Sequence, residues 1–361
     1  MPISRRGLPI SIIILLALIG TLHAENLKQI ATIPIPGEPM NEFGVVFINQ
    51  ATGLGYLANK SNKSVEVFDT KSNKLLSSIS GFVGLTKNGA TSGPNGIIAV
   101  NEDAELWVSD GDSTIKIVDM KTNIITEKVS TGGKTRANAM AYDPKTRIVI
   151  VANPDDEPPF LSLISTKPGH KILANIPIKD ASDGLERSVY HAPSSTFYTD
   201  VPMLSKDNSK GALAQTDPRT GKLIKLHEIE HCNPHSISIV SESTMFLGCS
   251  PTPAGSITPG SELAVFNVTT SKIEAYTAGL GGSGDTAANQ KLGLYYHSAS
   301  NTLGGPALKV IDIKTRKLVQ KIPTSKSAHS IGISFTNNLV YLPTTAKYGS
   351  CGGCIVVFSA E

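Results

Sequence analysis

The chain has 361 residues, with 33 Lys and Arg against 30 Asp and Glu and a formal net charge of +3. Both signs are mixed, and no basic stripe or aromatic platform stands out, which argues against nucleic acid as a partner. The 32 Gly, 22 Pro and the scarcity of long 3.6-residue periodicity argue for an all-β chain over a helical one.

In chain order, Arg5 and Arg6 precede the apolar run Ile10–Ile19, which ends in Thr21–Ala24 before the polar Glu25 and Asn26. A basic start, a short apolar core and a small residue before a polar stretch are the marks of a signal peptide. Residues 1–24 are therefore expected to be a signal, cut after Ala24. The strongly apolar run favours a general secretory signal over the twin-arginine type that SRRGL also loosely fits. No other stretch is long and apolar enough for a span. The expectation is an exported protein, periplasmic or secreted, with residues 25–361 as one domain.

From there one unit repeats. An apolar strand ends in Asp or a substitute, a short Lys/Thr/Asn/Gly turn follows, and a second amphipathic strand begins. The copies include SVEVFDTKSNKLLSSI (64–79), TIKIVDMKTNIITEKV (114–129) and LKVIDIKTRKLVQKI (308–322). Their turns open at Asp69, Asp119, Ser165, Asp217, Asn267 and Asp312, where a side-chain oxygen can cap the backbone of the turn. A spacing of 45 to 52 residues is in the range of propeller blades. Upstream of each copy lies another hairpin, such as NAMAYDPKTRIVIVAN (138–153). Each repeat thus offers four strands, A to D. The seventh has three, SIGISFTNNLVYLP (330–343) and CIVVFSAE (354–361), and LKQIATIPI (27–35) can supply its fourth. The expected fold is a seven-bladed β-propeller of four-stranded antiparallel blades, closed by the N-terminal strand joining the last blade, which removes an open sheet edge.

Strand B ending in YLAN (56–59) and IVAN (150–153), followed by strand C and a D-x-K-T turn, resembles the YVTN-type propeller repeat. The resemblance implies a seven-bladed propeller, frequent in exported proteins, and no single activity. PNG at 94–96 is more weakly similar to the gluconolactonase/senescence-marker propellers, which place Glu, Asn and Asp on an axial metal. Virginiamycin-lyase-like propellers use an axial His as base, a role that would fall to His235 or His329.

The residue before each strand A comes from the loop at one mouth of the central channel. By blade these are Glu42, Asn95, Asn138, Glu186, His235, Asp285 and His329, with Arg187 able to replace Glu186 and Arg136 just outside. Taken singly, each is an ordinary polar residue at a wet strand start. Together they suit a ligand pocket, acid–base work by His235 or His329, or a metal held by His235, Asp285 and His329. His and carboxylate ligands would suit zinc, and the oxygen ligands Glu42, Asn95, Asn138 and Asp285 calcium. No G-x-S-x-G, H-E-x-x-H, P-loop or dinucleotide motif occurs.

Cys232 precedes strand A of blade 5 and Cys249 ends strand B of the same hairpin, so antiparallel pairing brings them near each other. Cys351 and Cys354 sit in the B–C loop of blade 7, where a strand follows instead of the helix of a redox motif. Two disulfides are expected, both on the face of the axial mouth. The reading is of a monomeric binding or scaffold protein that takes a protein or small-molecule ligand on its loop face. The alternative is a metal-dependent, lactonase-like hydrolase or lyase with one divalent ion on the axial ring.

Overall fold

A computed structural model of the chain describes residues 26–250, 261–347 and 351–360. The expected signal at 1–24 and the centre of the loop at 250–261 lie outside the described residues. No helix among the described residues is long and apolar enough to cross a membrane, and the helical content there is two 3₁₀ turns, Gly89–Thr91 and Asn101–Asp103.

Burial follows from strand position. Strand B, flanked in its own sheet and covered on both faces by neighbouring blades, reads as an apolar run: all of Ile148–Asn153 is buried. The outermost strand D has one face in water and alternates, as Lys74–Ser80 does. The strands form seven antiparallel four-stranded sheets. Blades 1 to 6 run from A to D in chain order, beginning with strands A at Val46–Asn49, Ile97–Val100, Met140–Asp143, Ser188–His191, Asn233–Ser241 and Thr286–Asn289. Blade 7 orders Gly332–Ser334, Leu339–Thr344, Cys354–Ala360 and then Leu27–Pro34. The first strand pairs antiparallel with the last, from Leu27 opposite Ala360 to Pro34 opposite Cys354. The Gln320 amide clamps its beginning from blade 6, accepting from Leu27 N at 2.7 Å and donating to Leu27 O at 3.0 Å.

The apolar faces of adjacent blades form the core. Between blades 3 and 4, Ile150 and Leu163 pack with Phe197 and Ala214; between blades 1 and 2, Tyr56 and Val67 meet Leu106 and Val118. Each large buried side chain contributes roughly 1.5–3 kcal/mol.

All six C–D turns are capped as their residue types require. Asp69 Oδ1 accepts from Ser72 N at 3.1 Å, Asp119 Oδ1 from Thr122 N at 2.8 Å and Asp217 Oδ1 from Arg219 N at 2.9 Å. Asn267 accepts from Thr270 N, Asp312 from Thr315 N and Ser165 from Lys167 N. The bonds from the Thr122 and Thr315 amides hold the Asp119 and Asp312 carboxyls below the usual carboxylate range.

Around the axis the inner strands pack closely. Gly44 N donates to Ala58 O within blade 1, and Val45 N donates to Asn95 O of blade 2. A Cβ at Gly44 would lie 2.3 Å from Asn95 O, and one at Gly96 2.4 Å from Asn138 O. Only glycine permits that approach.

Candidate functional site

Backbone pairing fixes which residue of each blade opens strand A. Asn95, Asn138 and Glu186 each donate from N to strand B, to Ser109, Ala152 and Asp200 respectively. In blade 1 that place belongs to Gly44, so Glu42 lies two residues upstream, where its carboxylate is half exposed and accepts from Lys60 Nζ at 2.6 Å. In blade 6, Ser298 N donates to Asp285 O, which places Asp285 one residue further into the channel, in the phase of Arg187. In blade 5, Pro234 faces Cys249 and Ser236 faces Gly248, leaving His235 as the extra residue of a β-bulge. Its Nδ1 lies 3.0 Å from Asn233 O.

Two chambers follow the axis. The mouth chamber, about 170 Å³, includes Asn95, Asn138, Glu186, Arg187 and His329 in its wall, together with Lys60 and Arg136. Its floor leads to a chamber of about 270 Å³ that shares Arg187 and Val45 with it. At the boundary Arg187 Nε meets Asp285 Oδ1, an ion pair that crosses over blade 5 from blade 4 to blade 6. Arg187 Nη1 and Nη2 donate to no protein acceptor among the described residues, and the Nε–Asp285 contact is an ion pair without hydrogen-bond geometry, so the guanidinium is held at one edge by charge alone.

The charge of the mouth wall is lopsided. Lys60, Arg136 and Arg187 face Glu186 as the one carboxylate. The anions that hold the cations stand outside that wall: Glu42 on Lys60, Asp155 on Arg136 at 2.8 Å, and Asp285 on Arg187. Lys60 is 6% exposed. Burial lowers its pKa below the usual ammonium value; Glu42 opposes this, while Arg136 and Arg187 lower it further. Three cations therefore feel one another across a small space.

His329 is part of the wall and firmly held. Its ring stacks on Phe43 with centroids 4.4 Å apart, Nδ1 lies 2.9 Å from Ser327 O, and Nε2 lies 3.2 Å from Gly44 O. Burial holds its pKa below the ordinary histidine value, with Asp285 the main opposing influence. His235 belongs to the wall of neither chamber. The structure thus does not gather His235, Asp285 and His329 on one point, and among the described residues no three His, Cys, Asp or Glu side chains converge as metal ligands. Nor do Glu42 and Asp285 join Asn95 and Asn138 in the mouth wall as a calcium set would require.

A hollow of about 380 Å³ beside the mouth is acidic, with Asp155, Asp156, Glu157 and Asp183, and shares Arg136 and Glu186 with it. Asp156 caps the local turn there, accepting from Lys134 N at 2.8 Å and Thr135 Oγ1 at 2.8 Å.

Both disulfides form. Cys232 and Cys249, buried in the core of blade 5, have Cα atoms 4.9 Å apart; Cys351 and Cys354 are at 5.9 Å. The bulge at His235 makes the first possible, because it carries Cys232 back over the strand partner of Pro234. Two disulfides and no free cysteine among the described residues fit an oxidising environment.

The propeller has a solved counterpart. A chain from Kuenenia stuttgartiensis hydrazine synthase superposes with a TM-score of 0.72 over 90% of this chain and 97% of its own length, at 13% identity. At that identity the likeness is one of fold. No family model matches the sequence, and no curated protein matches it.

Sequence reasoning missed Lys60 as a wall residue and the Arg187–Asp285 pair. Lys60 directly follows YLAN in a B–C loop, and B–C loops share a face with the D–A loops, which was the available signal. The pair joins blades 4 and 6, and no repeat alignment shows a contact that skips a blade.

Proposed function

We propose that the protein is an exported binding protein whose axial mouth takes a small anion. One observation carries this: Arg187, fixed through Nε by Asp285, presents an unused guanidinium edge to a small chamber that Lys60 and Arg136 also line. A guanidinium held on one side offers paired donors to a carboxylate or phosphate without losing side-chain freedom on binding. Burial raises the worth of each contact, and the anion would meet a guanidinium edge that Asp285 leaves unused. The basic start and apolar run of residues 1–24, the two disulfides and the YVTN-like YLAN and IVAN segments support export and a propeller serving as a binding platform.

Calorimetric titration with acetate, inorganic phosphate and sulfate tests the reading. Binding of at least one anion is expected, weakening with added sodium chloride and falling at least tenfold in Arg187→Gln. If none of the three binds at millimolar concentration, anion recognition is not the role of the mouth. The lactonase-like reading, with one zinc or calcium ion, is tested by elemental analysis. A stoichiometric ion in the purified protein, lost in His235→Ala and His329→Ala, would put metal chemistry in place of anion binding.

A further inference from the structure

Inner-strand residues at one shared pairing phase form a ring of their own, below the mouth. Every blade contributes one member to the wall of the lower chamber: Val46, Ile97, Met140, Ile237 and Ile331, with Ser188 and Thr286 from blades 4 and 6. Five of the seven are apolar. Their ring phase follows from strand pairing, with Val46 opposite Leu57, Ile97 opposite Val108, Met140 opposite Val151 and Ile237 opposite Leu247. The two hydroxyl members flank blade 5, and Thr286 Oγ1 is 2.8 Å from Ser238 Oγ, which satisfies it within the protein. Propeller architecture does not demand apolar side chains around an open channel. The five apolar members are 4–8% exposed and packed in the interblade core, so the apolar surface still open to the space of about 270 Å³ belongs to the half-buried Val45, Phe47, Ile98 and Val189 beside them, and an apolar group entering there would cover it.

The one strongly polar feature of this chamber is its upper boundary, Arg187 with Asp285. Asp285 is 8% exposed and spends a carboxylate oxygen on Arg187 Nε, so its charge is already neutralised. The free Nη edge of Arg187 therefore stands where the polar mouth meets the lower cavity. We infer that the ligand is an amphiphilic organic anion, a carboxylate on a hydrocarbon chain, with its head on Arg187 and its tail in the chamber ringed by Val46, Ile97, Met140, Ile237 and Ile331. This rests on the anion-binding reading and adds the class of ligand. A neutral apolar molecule would leave the Nη edge of Arg187 unused, and an inorganic anion would leave the chamber unfilled.

A titration series of linear carboxylates from acetate to octanoate, with hexanol as the uncharged control, decides the matter on the unmodified protein. Affinity is expected to rise about fourfold per methylene until the chamber is full, as about 0.8 kcal/mol per buried CH₂ requires. Hexanol is expected to bind far more weakly than hexanoate. Ile331→Phe, which enlarges a wall residue packed in the core beside the chamber, is expected to shift the best chain to a shorter one. Equal binding of acetate and octanoate would overturn the amphiphile inference and leave anion binding standing. Hexanol binding as tightly as hexanoate would overturn both, as would no binding by any member. Should Ile331→Phe fail to fold, the wild-type series alone carries the decision.

Discussion

Asp200 lies on strand B of blade 4, fully buried, with neither carboxylate oxygen hydrogen-bonded among the described residues. Its backbone pairs with Glu186 and Arg187, the two residues that blade 4 gives to the mouth. Burial pushes its pKa well above the ordinary carboxylate value, the nearby Glu186 adds to this and Arg187 opposes it. As pH rises from the unfolded value, the folded protein therefore holds the Asp200 proton longer than the unfolded chain does. A raised acid is stabilising below its unfolded pKa, near 4, and that contribution is lost as pH rises. Asp200→Asn, neutral at every pH, should melt higher than the parent at pH 7, by about 2 °C for each kcal/mol relieved. The gap should close as pH falls toward 4, and thermal melts at pH 4, 5.5 and 7 read it directly. A gap independent of pH would mean that the side chain acts through packing and not through its charge.

At the scale of the element, the C–D hairpin was the most legible part of the sequence, because its cue is local. Asp or Asn opens the turn, and a residue with positive φ closes it: Asn73, Asn123, Gly221, Ser271 and Arg316 all lie between 54° and 65°. Gly221 is the one glycine among these, and a Cβ there would stand 2.9 Å from Ala174 Cβ. Gly221→Ala should cost about 1–2 kcal/mol, the penalty for the left-handed region, in a urea unfolding experiment. Gly89→Ala, where a Cβ meets nothing within 4 Å, should be close to neutral. The start of strand A was less legible, since its cue is a contact across the axis. Gly44 occupies the place expected for Glu42, and Asp285 sits one residue deeper than expected, because close backbone approach at the ring selects glycine where a polar residue was sought. His235 went astray for another reason: a bulge leaves no mark in an alternating run such as Ser236–Val240. The Cys232–Cys249 bond closes a loop over a sequence separation of 17. The paired Cys232→Ser, Cys249→Ser variant should lose about 3 kcal/mol by the chain-entropy argument, measured as a lower urea midpoint.

For the whole molecule, the period, the number of blades and the closure by Leu27–Pro34 could all be read before any coordinates. Seven repeats with one strand missing at the end and one to spare at the beginning leave a single arrangement without an open edge. The two chambers could not be read so, because their shape depends on how far apart seven strands stand around the axis. The closing strand makes a test at this scale. A chain lacking residues 26–35 exposes Cys354–Ala360 as an edge and should associate, visible as early elution in size-exclusion chromatography. A synthetic LKQIATIP peptide added in excess should restore the monomer fraction. If the shortened chain remains as well behaved as the parent, the closure adds little to solubility.

The pairing of Leu27 with Ala360 also sets an order of events. A chain made from its N-terminus produces Leu27–Pro34 ahead of the six complete blades, and its partner Cys354–Ala360 after them. Until Cys354–Ala360 has emerged the segment LKQIATIP has no partner strand, and six blades can stack before the seventh can be finished. Its sequence meets that wait well: five of the eight positions from Leu27 to Pro34 remain exposed even in the finished ring, and a proline ends it. The step that completes the protein is thus a meeting of distant ends, slow by the measure of chain separation.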